Sequence, residues 1–540
     1  MSLTYKLRPT LIFFLCVALY STVLVYLYHI QVAKHAFFAE RAHQQYSVRS
    51  VVYPPRAPIL DCHGKFLALN KDSFSAFVTP CHVRDTTVLY RVLQEHFPLA
   101  LEQVQTKHHQ QFVYVKRRLT DQELNVIDTS GCKDIHIITE PNRFYPSACA
   151  ANVVGITNID DQGIAGVELI YNDQLSGKPS TSFIERDARS GKFHFSKHVE
   201  REQVKSIPIQ LTLDANLQFL VQEELERHAQ RHGSVEGGAV VMDPETGAIF
   251  AIASYPTYDP NHPEMIAPET TKCTPITQVY EFGSVMKTFC ALAALEQGCV
   301  TEDEPIDCMS RKTVVFEGRR INTVPHSVLG IAPFKEVIKK SNNIGIAKVA
   351  KRMSTALYDH YRRLGFGSKT GIVFPGEQSG MVVPPKDWSK QSIISLSYGY
   401  EIATSLLQLV RAFAVFSNGG RLIKPRLCLE EPIDVSQPLY SVHTLQVMRD
   451  IIQQTTGQYA YLDGYLCFGK TGTANLIENG IYNKDKNLFC FVGAVEKDGY
   501  KRIIGCYLKE SRMKNVYAAT VAAPLFQALA EKVVLNDHVW

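Results

Sequence analysis

The sequence predicts an α+β architecture, an antiparallel sheet covered by helices, preceded by a mixed N-terminal module and a single transmembrane helix. Three observations carry this expectation: an uncharged apolar run near the N-terminus, one hairpin pattern near the middle of the chain and another near its end, and helical stretches that flank and separate the two hairpins. With 540 residues, and about 150 per domain, three or four units with ample core-forming length are expected. The 45 % hydrophobic and 20 % charged content is ordinary for a globular protein and argues against long disordered or collagen-like stretches. The net charge of +4 comes without any Lys/Arg block, so nucleic acid is not an expected partner.

The anchor comes first. Between Arg8 and Lys34 there is no Lys, Arg, Asp or Glu, and Leu11 to Tyr28 (LIFFLCVALYSTVLVYLY) is nearly all apolar, long enough to span a bilayer. A cleaved signal peptide is the alternative, but the following HIQVAKHAFFAE offers no good small-x-small cleavage site. Residues 1–8 then form a cytoplasmic tail, residues 9–30 the transmembrane anchor, and Lys6 and Arg8 place the short tail inside. The rest of the chain is expected outside the cytoplasm. It holds most of the 13 cysteines, an odd number without CxxC pairs or CxxC/HxxxH spacing, so no zinc site or redox dithiol is indicated.

Residues 45–206 alternate short β-rich runs (SVRSVVY, KFLALN, SAFVTP, DIHIIT) with helical ones such as TDQELNVID, as expected of a mixed pedestal module. Its segments PRAPILDCHG, RFYPSACAANVVG and GIAGVELIYNDQLSG read locally as turns between strands. From 207 to 536 the texture changes. Thr212 to Asp214 announce a helix with Leu217, Leu220, Val221 and Leu225 at helical spacing. GGAVVMDPETGAIFAIAS reads as a hairpin turning at Asp243–Gly247, as does LFCFVGAV with RIIGCYL across Lys497-Asp498-Gly499, and YAATVAAPLFQALAEKVV is helix-like.

Three short motifs in this region can carry chemistry. In Ser284-Val285-Met286-Lys287, positions i and i+3 share a helical face, so the lysine can touch the serine. It can act as a base only if burial or nearby positive charge lowers its pKa, and Phe282, Val285, Phe289 and Leu292 are placed to supply that burial. Ser341-Asn342-Asn343 precedes a helical stretch, so an N-cap explains it as readily as a proton relay or an amide contact. Lys470-Thr471-Gly472-Thr473 is either a surface turn or a carboxylate grip in which Gly472 lets a substrate backbone approach. Each motif alone is weak, but S-x-x-K, an S-x-N element and K-T-G in this order form one catalytic set.

On these motifs, and on RLGFGSKTGIVFPGEQSG, SYGYEIATSLLQLVRAFAVFSNGGRLIKP and AVVMDPETGAIFAIASYPTYDPN, the chain resembles class B penicillin-binding proteins from about residue 45 to 535, the division-type (FtsI-like) members most. The resemblance implies a penicillin-binding/transpeptidase domain of serine β-lactamase-like fold behind a pedestal or dimerisation-type module. It implies D,D-transpeptidation of peptidoglycan stem peptides ending in D-Ala-D-Ala, without cofactor or metal, and acylation by β-lactams. Ser284 would be the nucleophile, Lys287 the base, Ser341 the proton shuttle and Asn343 the holder of the substrate amide. Lys470, Thr471 and Thr473 would read the terminal carboxylate, and the N–H groups of Ser284 and Thr473 would form the oxyanion hole. A role in septal wall synthesis at the bacterial inner membrane, beside a SEDS-family glycosyltransferase and other division proteins, is implied in the same way. Phe282, Ala57, Cys62-His63, Glu401 and Leu406 depart from the family pattern without removing a reacting group. A D,D-carboxypeptidase or β-lactamase-type hydrolase, or a weakly catalytic sensor or division scaffold, uses the same residues.

Overall fold

In the computed structural model, which describes residues 3–52, 54–186, 193–201, 204–456, 460–514 and 516–539, the apolar run Leu11 to Tyr28 lies in one helix, Leu3–Tyr28. The stretch Pro9–Ala33 has a mean hydropathy of 2.3 and none of it is buried. At 1.5 Å per residue, about 20 residues cover the hydrocarbon core, so these 25 residues are long enough to cross. Residues 1–55 and 176–206 form one compact unit. Beside its helices it contains a three-stranded antiparallel sheet in which Ser180–Arg186 lies between Ser47–Val52 and Phe193–Arg201.

The second unit comprises residues 56–175 and 207–540. In its first part the strand Phe66–Val78 pairs with Val113–Lys116 and with Ile135–Phe144. The TDQELNVID segment is the helix Asp121–Ser130, closed at its start by a reciprocal capping box between Thr120 and Glu123. The three segments that read as turns contribute one charged residue each to a common centre. Glu168 is 0 % exposed and accepts from Arg56 Nε at 2.7 Å and from Arg143 Nε at 2.6 Å. Arg143 also donates to the Ala57 carbonyl and Arg56 to the Glu168 carbonyl, so the ion cluster welds three segments far apart in sequence. Ile59–Leu60 then runs parallel to Ile209–Gln210, tying this part to the start of the larger one.

There, Asp214 caps helix α1 (Ala215–His232), accepting the N–H groups of Asn216 and Leu217. Strands β1 (Glu236–Met242) and β2 (Ile249–Tyr255) form the first expected hairpin. After the long insertion that contains helices α2 (Met286–Glu296) and α3 (Asn343–Met353), strands β3 (Leu466–Glu478), β4 (Ile481–Lys497) and β5 (Tyr500–Lys509) complete the sheet. Its order is β2-β1-β5-β4-β3, antiparallel throughout, with β3 at the edge. Strand alternation divides two cores. Phe489 and Phe491 face α1 and the C-terminal helix α4 (Ala518–Val539), while Cys490 and Val492 face the layer that contains α2. Helix α4 is also apolar enough to cross a membrane, yet Val521, Leu525, Phe526, Leu529 and Val533 are fully buried on the sheet, which makes it a core helix.

Candidate active site

Ser284 lies in a 3-10 turn, Gly283–Val285, rather than in the helix the spacing suggested; α2 begins two residues later at Met286. Helix α2 is apolar nearly all round and buried accordingly. Phe282, Val285, Phe289 and Leu292 are all at most 1 % exposed, and Lys287 among them is 1 % exposed. Its Nζ donates to the Ser341 carbonyl at 2.7 Å and lies 3.0 Å from Ser341 Oγ. Burial, and then the charge of Lys470, holds the Lys287 ammonium well below the usual lysine range.

The N-cap reading of the second motif holds at its middle residue. Asn342 is the N-cap of α3, accepting from the N–H groups of Ile344 and Gly345 while its Nδ2 donates to the Ser327 carbonyl. Ser341 and Asn343, on either side of it, line the cleft, Ser341 with a left-handed φ of 52°. Asn343 Nδ2 donates to the Asn322 carbonyl at 2.6 Å.

The third motif is on β3. Alternation places Thr471 and Thr473 on the cleft wall and Lys470 and Gly472 on the buried side. Lys470 is 2 % exposed and lies beneath the wall, burial bringing its pKa down to about 8. Gly472 has a different reason from the one expected. A Cβ there would lie 2.2 Å from the Phe282 carbonyl oxygen and 2.8 Å from Val285 Cγ2, so the glycine lets β3 pack on the turn that carries Ser284. Thr473 Oγ1 accepts the N–H of Ala518 at the start of α4, which leaves its own proton free to be donated.

Ser284, Lys287, Ser341, Asn343, Thr471 and Thr473 thus border one cleft of about 410 Å³. Its remaining wall comes from Val324, Ser327 and residues 517–520, which motif reading missed because they lie in loops and at a helix start without a local signature. Ser327 Oγ is buried there without a hydrogen-bond partner, the one feature that singles it out. A hydroxyl that shares a cleft with a buried amine of lowered pKa, beside an open strand edge, is suited to nucleophilic attack on an extended peptide.

Residues 237–531 match the penicillin binding protein transpeptidase domain, and residues 51–211 the penicillin-binding protein dimerisation domain. Over 512 residues the chain is 29 % identical to the probable peptidoglycan D,D-transpeptidase PbpC of Pseudomonas aeruginosa, covering 93 % of this chain and 90 % of that protein. It is 26 % identical to the peptidoglycan D,D-transpeptidase FtsI of Escherichia coli over 508 residues, 90 % of this chain and 84 % of the other. Its fold matches the crystal structure of penicillin binding protein 3 from Mycobacterium tuberculosis complexed with aztreonam, with a TM-score of 0.70 at 23 % identity over 91 % of this chain and 98 % of that one. The chain belongs to the class B penicillin-binding proteins.

Proposed function

We propose that this protein is a serine-type peptidoglycan D,D-transpeptidase that cross-links stem peptides through an acyl-enzyme on Ser284, and that β-lactams acylate the same serine. The observation that carries the reading is the placement of Lys287, a buried amine held against Ser341 in the cleft that Ser284 borders. An uncharged amine has two N–H groups and one lone pair. With both N–H groups used on the carbonyl and hydroxyl of Ser341, the lone pair is left for the Ser284 proton.

Ser284 Oγ, giving its proton to Lys287, attacks the carbonyl between the two terminal D-alanines. The oxyanion is held by the N–H groups of Ser284 and Thr473. The C–N bond then breaks, the proton passes through Ser341 to the departing D-alanine nitrogen, and an ester remains on Ser284. The amine of a second stem peptide attacks the ester, its proton is lost to the site, and Ser284 regains its hydroxyl. Asn343 holds the substrate amide. Thr471 and Thr473 donate to the terminal carboxylate, and Lys470 contributes its charge from beneath them.

The N-terminal apolar helix anchors the protein in the bacterial inner membrane as a single-pass protein, with the catalytic unit outside the cytoplasm. A division role beside a SEDS-family glycosyltransferase, which would supply the glycan strands, follows from the FtsI-like resemblance. The test is the purified full-length protein with a stem-peptide donor and an acceptor amine. Cross-linked product in excess of hydrolysed product supports the reading, whereas hydrolysis alone would make the protein a carboxypeptidase.

A further inference from the structure

Outside the cleft, the turn that follows Ile59–Leu60 brings three metal-ligating side chains together. Cys62, His63 and Asp214 place one ligand atom each within 4.8 Å of one another, and His63 Nε2 lies 3.4 Å from Asp214 Oδ2. In a tetrahedral zinc site with bonds of about 2.0 Å to nitrogen and oxygen, that edge measures about 3.3 Å, so one edge is already formed. The backbone fixes the ligands. Asp61 Oδ1 accepts the N–H groups of His63 and Lys65, and the Cys62 N–H donates to the Leu213 carbonyl at 2.8 Å. Asp214 is 5 % exposed and commits Oδ1 to capping α1, while Asn536 Nδ2 donates to its Oδ2 at 2.9 Å. A ligating carboxylate oriented by a hydrogen-bond donor is what a metal site requires around its ligands.

The local charge also suits a cation, since the carboxylates of Asp61 and Asp214 meet at this turn, where Asp61 Oδ2 accepts the N–H of Ala215. Asp537, a further acidic neighbour, commits its Oδ2 to Arg502 and Tyr500. His63 is half exposed, which leaves a route for the ion and room for a water in the fourth position.

We propose that Cys62, His63 and Asp214 bind a zinc-class divalent cation that pins the 61–65 turn to the N-terminus of α1. Thiolate, imidazole and carboxylate together with one open position fit Zn²⁺ better than the hard cations Ca²⁺ or Mg²⁺, which take oxygen ligands. Sequence spacing does not reveal the set, because two ligands are adjacent and the third comes from beyond residue 200.

The experiment uses full-length protein in detergent, stripped of metal and then titrated with Co²⁺ and Zn²⁺. One Co²⁺ per chain with a thiolate-to-cobalt charge-transfer band is expected, and excess Zn²⁺ should raise the melting temperature. Cys62→Ser should lose both effects, while Cys299→Ser, a cysteine away from the site, should keep them. His63→Ala, an exposed position that leaves folding intact, should weaken Co²⁺ binding at least tenfold. Absence of the band in wild type, its persistence in Cys62→Ser, or unchanged affinity in His63→Ala would each overturn the proposal.

Discussion

Around Glu168, two buried guanidiniums close on one carboxylate; in the cleft wall, Lys287 and Lys470 are buried within electrostatic reach of each other, and among the described residues neither is paired with a carboxylate. The two clusters lie in the same compact unit and are equally dry. They differ in compensation. A buried charge with its counter-ion in place joins segments, whereas burial without one pushes an amine toward its uncharged form, Lys287 well below the usual lysine range and Lys470 to about 8. The first arrangement builds structure and the second builds a base.

Substitutions should separate the two roles. Lys287→Met removes the amine but keeps an apolar chain of similar length, so acylation by a fluorescent penicillin should fall by about 10² to 10⁴, with Ser284→Ala losing it altogether. The melting temperature of Lys287→Met should be unchanged or higher, because an uncompensated buried amine is gone. Glu168→Gln should do the reverse. It leaves two guanidiniums without a counter-charge and should cost about 3 to 5 kcal/mol of stability, while labelling per folded molecule is retained. Equal loss of labelling in both variants would abolish the distinction.

Gly472→Ala tests how the cleft is held. The added methyl meets the backbone of Phe282, which cannot yield as a side chain can, so the serine turn must shift. Acylation should drop about 10²-fold, as a displacement of about 1 Å can produce. The smallest effect is expected at Thr471→Val. It should slow substrates with a free terminal carboxylate about tenfold, as the loss of one charge-assisted hydrogen bond of about 1.5 kcal/mol implies, and leave the amidated peptide nearly unchanged.

The same contrast explains what could be read from the chain. The burial of Lys287 was legible because an apolar surround is a local property, and the residues that bury it flank it in sequence, whereas Ser341 was singled out only by the order of the three motifs. The two hairpins were legible for the same reason. The Glu168 cluster was not, since Arg56, Arg143 and Glu168 meet only in the folded chain and each of their segments alone reads as a turn. The need for Gly472 was misread because the atom that excludes a Cβ belongs to Phe282, far away in sequence. That Lys470 lies beneath Thr471 follows from its place on a strand, which the motif by itself does not show.

The pH dependence of Ser284 acylation by a fluorescent penicillin tests most directly the claim that Lys287 acts as an uncharged base. A base must be deprotonated to work, so a lysine held well below its usual 10.5 should reach its full rate well short of pH 10.5, with the rate falling as acid protonates it. Loss of the Lys470 charge should add a decline on the alkaline side near pH 8, so that the profile is bell-shaped. A rate low at pH 7 and still climbing toward pH 10.5 would show an ordinary lysine and contradict the account.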